Sequence, residues 1–167
     1  MSTLFVDTIN EKTTNNGVYI PGHVSQMIRA AATPRIAGSI SAGTYVDTGL
    51  TASITPNTSS SKILVFSQIN MNAAAASYHY SKIVRSIGGG SYAVPTGSNA
   101  SGQVAEYKAA SEWVFLNCLI IDEPATTSAI TYKVQYKNSA STTWNYGWNS
   151  SGGNDNMNAL ILLEVGG

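Results

Sequence analysis

"DTGLTASITPNTSSSKILVF", residues Asp47 to Phe66, is the stretch on which the fold turns. Val46 just before it, then Leu50, Ala52 and Ile54, alternate with polar neighbours as far as Pro56, the period-2 pattern of a strand with one dry face. After the serines, Lys62 opens the apolar run Ile63, Leu64, Val65 and Phe66. Two strands flanking a polar turn are predicted, because Pro, Asn and Ser each favour chain reversal. The turn carries no acid, base or activated nucleophile, so it is expected to be a wet loop that only reverses the chain.

Composition extends the same expectation to the whole chain. Its 167 residues fit one hydrophobic core plus an appendage. Apolar residues make up 43% and charged residues only 11%, against about 25% charged in a typical soluble domain. Ser, Thr, Asn and Gly fill the difference, and these residues favour strands, turns and loops over helices. An all-β domain is expected. The formal net charge is zero and no Lys/Arg cluster occurs, which argues against nucleic acid or an anionic membrane as partner.

Cys118, in "VFLNCLII", is the only cysteine, so no intrachain disulfide or CxxC metal site exists, and a buried free thiol is the expected state. "MSTLFVDTIN" lacks the basic start and long apolar core of a secretory signal, and no apolar run reaches the roughly 20 residues of a membrane span. Folding in a cytosol is expected.

Segment character changes near "YIPGHV". Residues 1–22 hold two short strand-like pieces, Leu4 to Ile9 and Val18 to Ile20, around an Asn-Asn-Gly turn, with too few apolar residues for a core of their own. They read as an attachment or stem segment, with Leu4, Phe5, Val6 and Ile9 as docking candidates. Residues 23–167 read as the head. Strand-like runs recur there at Val24 to Ala31, Thr44 to Val46, Leu50 to Ile54, Ile63 to Met71 and Tyr78 to Ile87. They continue at Val104 to Lys108, Trp113 to Ile121, Ala129 to Tyr136, Thr143 to Tyr146 and Met157 to Val165. Their number and spacing predict a jelly-roll β-sandwich. "AAAA" at Ala73 to Ala76 fits either a strand end or a helical turn.

In the last run, Leu160, Ile161, Leu162 and Leu163 follow one another without alternation. A strand apolar on both faces needs cover on both. A second subunit over the outer face is the expectation, with these four residues as candidate contacts; a central strand lying beneath a loop is the alternative.

"DTGLTASITPNTSSSKILV", with the opening "MSTLFVDTIN", the "GHV" junction, "EPATTSAITYKVQY" and the ending "NALILLEV", resembles the fibre-like virion proteins of marine tailed bacteriophages, especially cyanophages. The resemblance covers nearly the whole chain and is specific at the central block. It implies a homotrimeric virion appendage assembled in the host cytoplasm, with an N-terminal segment docked to other virion proteins. The head it implies is a jelly roll similar to C1q-like or tumour-necrosis-factor-like domains. The stem here is very short and lacks collagen-like or heptad repeats, so a tail spike, a fibre tip and a head decoration all fit the pattern.

Catalytic constellations are sparse. His23 and His79 lie in no metal-pair or triad spacing; His23, in a Pro-Gly-His turn, reads as a hinge rather than an axial metal ligand. Asp122 and Glu123 are neighbours on an extended chain and point to opposite faces, so they form no glycosidase carboxylate pair by themselves. No cofactor is implied, and a non-enzymatic role is expected.

"TTWNYGWNSSGGNDN" places Trp144, Tyr146 and Trp148 at alternate positions beside Asn149, Asn154 and Asp155. Aromatic faces flanked by amides and a carboxylate suit a sugar-binding surface, and a core or subunit-contact stripe is the alternative reading. "SYHY" at Ser77 to Tyr80 is a similar, weaker cluster. The function that the resemblance implies is a tail fibre that takes part in attachment to a host glycan or protein, with a purely structural head fibre or decoration protein as the alternative.

Overall fold

The computed structural model describes residues 23–30, 36–96, 103–146 and 158–166. The predicted pieces Leu4 to Ile9 and Val18 to Ile20, and with them the docking candidates Leu4, Phe5, Val6 and Ile9, lie outside the described residues. Within the described residues the chain forms strands and no helix: β1 (Val24–Arg29), β2 (Ile36–Ile40), β3 (Tyr45–Ile54), β4 (Lys62–Ala73), β5 (Ser77–Ile87), β6 (Gln103–Lys108), β7 (Trp113–Asp122), β8 (Ile130–Asn138), β9 (Thr142–Tyr146) and β10 (Ala159–Val165).

Every pairing is antiparallel. One edge of the long strand β4 pairs with β7 from Ile63↔Asp122 to Asn72↔Trp113. Its other edge is shared end to end, β10 taking Lys62 to Gln68 and β9 taking Met71 to Ala73. β1 closes β10, and β2 closes β9. The second sheet runs β3-β8-β5-β6. With the β2–β9 pair set aside, β1-β10-β4-β7 lies over β3-β8-β5-β6, the strand order of a jelly roll.

Alternation makes the core. On β4, Ile63, Val65, Ile69 and Met71 point inward; on β7, Val114, Leu116, Cys118 and Ile120; on β10, Leu160 and Leu162. They meet Leu50, Ala52 and Ile54 of β3 and Ile130, Tyr132, Val134 and Tyr136 of β8. Cys118 is a buried free cysteine, and burial pushes its thiol pKa up.

Two strands depart from the sequence expectations. The separate runs Thr44 to Val46 and Leu50 to Ile54 are one strand, β3, whose register shifts between Asp47 and Thr51. Gly49 takes φ 78° there, a conformation cheap only for glycine. Thr48 turns inward, its Oγ1 donating to Val134 O at 2.8 Å and accepting from Leu50 N at 3.3 Å. β2 was not predicted: its five residues carry no long apolar alternation, and the strand exists by pairing with β9. Gly38 in β2 pairs with Trp144, and an added Cβ there would make only ordinary contact with the indole, 3.4 Å from Nε1. Of the two readings left open for the "AAAA" run the structure shows the strand end and no helical turn: β4 ends at Ala73, and Ala74 and Ala75 bend.

The turn between β3 and β4 is tied down as well as wet. Glu164 of β10 is wholly buried and accepts from Asn57 N at 2.7 Å, Asn57 Nδ2 at 3.0 Å and Gln26 Nε2 at 2.7 Å. Gln26 Nε2 also donates to Thr55 O at 2.7 Å. Burial by itself would raise the Glu164 pKa; hydrogen bonds from Ser61, Gln26, the Asn57 backbone and Ser25 outweigh it and hold the carboxyl below its usual range. The Ser/Thr-rich turn of the opening stretch is thus the lid over a buried carboxylate from the last strand, a partner the local sequence gives no sign of.

Candidate functional site

The outward side of the β1-β10-β4-β7 sheet carries the most unusual surface of the described chain. Register aligns its side chains in rows, because cross-strand partners share a face. One row is Met27↔Leu163↔Leu64↔Ile121. The next holds Ile161↔Phe66↔Leu119, with Arg29 at its β1 end. Phe115 of β7 stands apart from these rows, opposite Asn70 and beyond the Gln68↔Asn117 pair. Met27 is 67% exposed, Leu119 62%, Ile121 53% and Phe115 43%, and Leu64, Phe66, Ile161 and Leu163 are half-buried. Polar groups rim the patch: the Lys62–Glu123 ion pair at 2.8 Å closes one end, and Gln68, Asn70, Asn72 and Asn117 follow along the other. Single chains rarely leave contiguous apolar patches of more than a few hundred Å² in water, and a polar rim around such a patch is the anatomy of an interface.

The candidate contact residues of the last strand divide by period. Leu160 and Leu162 are wholly buried in the sandwich core; for these two the contact expectation is corrected, because alternate residues of β10 face inward. Ile161 and Leu163 lie on the outer apolar rows.

The aromatic candidates divide differently. Trp144 and Tyr146 do share one face of β9, and that face is the inward one: Trp144 is 5% and Tyr146 0% exposed. The Trp144 ring packs 5.4 Å from the Tyr136 ring, centroid to centroid. A sugar-stacking role is therefore corrected for both and the reading as a core stripe holds, since neither ring presents a face to solvent. Trp148, Asn149, Asn154 and Asp155 lie outside the described residues.

Two buried polar clusters take up the remaining chemistry-bearing groups. Asp122 points into the sandwich, accepting from Tyr132 Oη at 2.7 Å and Thr96 Oγ1 at 3.0 Å and pairing with Arg85. Glu123 points outward to Lys62, so the two adjacent carboxylates work on opposite sides. Burial, then the neighbouring Asp122 carboxylate, pushes the Tyr132 pKa up. His79 is wholly buried, its Nδ1 3.1 Å from Tyr136 Oη, which also accepts from Asn138 Nδ2 at 2.9 Å. Burial lowers the His79 pKa and keeps the ring neutral; burial also pushes Tyr136 up to about 12. His23 stands exposed at the start of β1. Among the described residues no group of three or more His, Cys, Asp or Glu side chains is placed to hold a metal ion.

The opposite face, outward from β3-β8-β5-β6, is built from other residues. Tyr45↔Lys137↔Tyr80↔Ala105 form a row across its four strands. Asp47↔Gln135↔Lys82 form the next, and Tyr78↔Tyr107 sit at the far end of β5 and β6. Asp47 is engaged by Lys133 Nζ at 2.7 Å and Gln135 Nε2 at 2.8 Å. Those donors hold the Asp47 carboxyl below its usual range against the opposing pull of partial burial. The sequence reading reached only the Tyr78 and Tyr80 end of this face, because Tyr45, Lys137 and Tyr107 come from three other strands.

No protein-family model matches the chain, and no curated protein matches it. Solved structures similar to it include a chain of the T13 viral particle of infectious bursal disease virus, at 7% identity and a TM-score of 0.44, covering 84% of this chain and 35% of that one. A chain of the virus's Gt strain is similar at 9% identity and a TM-score of 0.46, covering 95% and 42%. The VP2 subviral particle of the same virus is similar at 8% identity and a TM-score of 0.42, with the same coverage of 95% and 42%. The chain spans less than half the length of these viral chains. Its fold assignment rests on the strand order and register described above.

Proposed function

We propose that this chain is a non-enzymatic structural protein of a tailed-bacteriophage virion: a homotrimeric tail-fibre-type appendage that takes part in host attachment, docked by residues 1–22 to other virion proteins. The resemblance of "DTGLTASITPNTSSSKILV" and its flanking blocks to phage fibre proteins supports the virion setting. The observation in the fold that carries the proposal is the apolar outer face of β1, β10, β4 and β7. In a cyclic trimer the contact is between two different patches. Phe115, Leu119 and Ile121 of one subunit then lie against Met27, Ile161 and Leu163 of the next, and the three copies cover the whole patch.

β7 adds a second reason for assembly. Among the described strands it pairs only with β4, and a strand edge without a strand partner beside an apolar face invites one. Antibody labelling of purified virions by electron microscopy tests the placement. Label at tail fibres is the expected result. Label on the head surface supports the structural decoration alternative instead, and unlabelled virions carrying none of the chain contradict both.

A further inference from the structure

We propose that the outer face of the β3-β8-β5-β6 sheet is a binding surface for an acidic polysaccharide, with Lys82 and Lys137 taking the anionic groups and Tyr78 and Tyr107 stacking on the sugar rings. It deepens the attachment reading by naming the class of ligand, and it uses residues other than the Trp144 to Asp155 stretch.

The two lysines are held in place and left uncompensated. Lys82 Nζ lies 3.7 Å from the centroid of the Tyr45 ring, and Lys137 Nζ lies 4.8 Å from the same centroid and 4.3 Å from that of Tyr80. Cation–π contact fixes both ammonium groups on the surface without neutralising them. The nearby carboxylates are already engaged: Asp47 with Lys133, and Glu106 with Lys108 at 2.7 Å. Neither Lys82 nor Lys137 has a carboxylate partner among the described residues. Two like charges over one ring repel, and burial together with the neighbouring Lys137 lowers the Lys82 pKa. An anion seated between them relieves that repulsion.

Beside this pair stands an apolar platform of the right kind. Tyr78 and Tyr107 are 51% and 56% exposed and meet edge to face with centroids 5.2 Å apart, and Tyr78 is 6.3 Å from Tyr80. Rings presented this way offer flat apolar area with hydroxyls at the margin, which matches the C–H faces and hydroxyls of a pyranose. The row from Tyr45 to Ala105 crosses three interstrand steps, roughly 14 Å at about 4.8 Å each, room for more than one sugar ring. Single-stranded nucleic acid also combines anions with flat rings, but its affinity depends on many neutralised phosphates, and this face offers two uncompensated lysines on a chain of zero formal net charge. The face lies on the far side of the sandwich from the apolar rows, so the proposed trimer contact does not use it.

Affinity electrophoresis of the purified full-length chain in gels containing polygalacturonate, dextran or no polymer tests the proposal, with a single-stranded oligonucleotide as competitor. Retardation by polygalacturonate, weakened by salt and absent with dextran, is expected. The Lys82→Gln/Lys137→Gln double variant should bind about tenfold more weakly, the loss of a charged hydrogen bond or two. Lys82→Arg/Lys137→Arg should retain binding, and unchanged melting curves show that both variants fold. Equal retardation by dextran, stronger binding to the oligonucleotide, or no binding to polygalacturonate overturns the proposal. Because binding is measured on the purified chain and attachment on virions, either reading can fail without the other.

Discussion

The two outer faces of one sandwich are built to opposite specifications. Over β1, β10, β4 and β7 the central outward residues include Met27, Leu163, Leu64, Ile121, Ile161, Phe66 and Leu119; over β3, β8, β5 and β6 they include Tyr45, Lys137, Tyr80, Asp47, Gln135 and Lys82. Both sheets turn the same kind of apolar side chain inward, so core formation cannot explain the difference. A strand stabilised only by its own domain needs one dry face, as β8 illustrates with Ile130, Tyr132, Val134 and Tyr136 inside and Lys133, Gln135 and Lys137 outside. β10 has two dry faces, and the second is useful only if something covers it.

Placing a charge on each face breaks the comparison most sharply. Leu119→Glu/Ile161→Glu puts carboxylates into the proposed contact and is expected to reduce the assembly to single chains by light scattering, while Tyr107→Glu leaves it intact; equal effects of the two would mean that the faces do not differ in role. Next in size, Leu162→Ala empties a core position and should cost about 2–5 kcal/mol. Leu163→Ala, one residue along on the half-buried face, should cost the dissociated chain far less in a denaturant melt. Similar losses at both positions would count against the inward and outward assignment of β10.

A smaller effect is expected at the lid over the β3–β4 turn. Glu164→Gln should lose about 1.5–3 kcal/mol at neutral pH, the range for hydrogen bonds to a charged group. Because the folded-state pKa is depressed, the carboxylate's contribution is fully present above the unfolded value and is lost as pH falls through the folded one. The gap between wild type and variant should therefore close on acidification below the ordinary carboxyl value of 4.5; a gap independent of pH would refute the charged lid. Smallest of all, Thr51→Ala on the exposed side of β3 removes one hydrogen bond to Tyr132 O at 3.0 Å and should move stability by no more than about 0.5 kcal/mol.

How much of this was legible in the sequence follows from the range of the interactions involved. Period-2 alternation from Leu50 to Ile54 and the run from Ile63 to Phe66 are local, and they place β3 and β4 and the turn between them. The uniform run Leu160 to Leu163 announces a doubly apolar strand, and alternation within the fold then sorts it into core and outer face. Trp144 and Tyr146 are read correctly as sharing a face, but which face is decided by β2 and β4 beside them, through pairings such as Gly38↔Trp144 and Met71↔Tyr146. The Glu164 lid and the Tyr45, Lys137 and Tyr80 row each join residues from strands far apart in sequence. No local window contains them, and a zero net charge conceals two lysines that have no carboxylate partner among the described residues.

The most direct measurement is the molar mass of the purified full-length chain by light scattering across a dilution series. A mass of three protomers that persists on dilution is expected, with the apolar rows of β1, β10, β4 and β7 covered by neighbouring copies. A mass of one protomer at every concentration, with the same β content, would contradict the account and leave that face to a different partner.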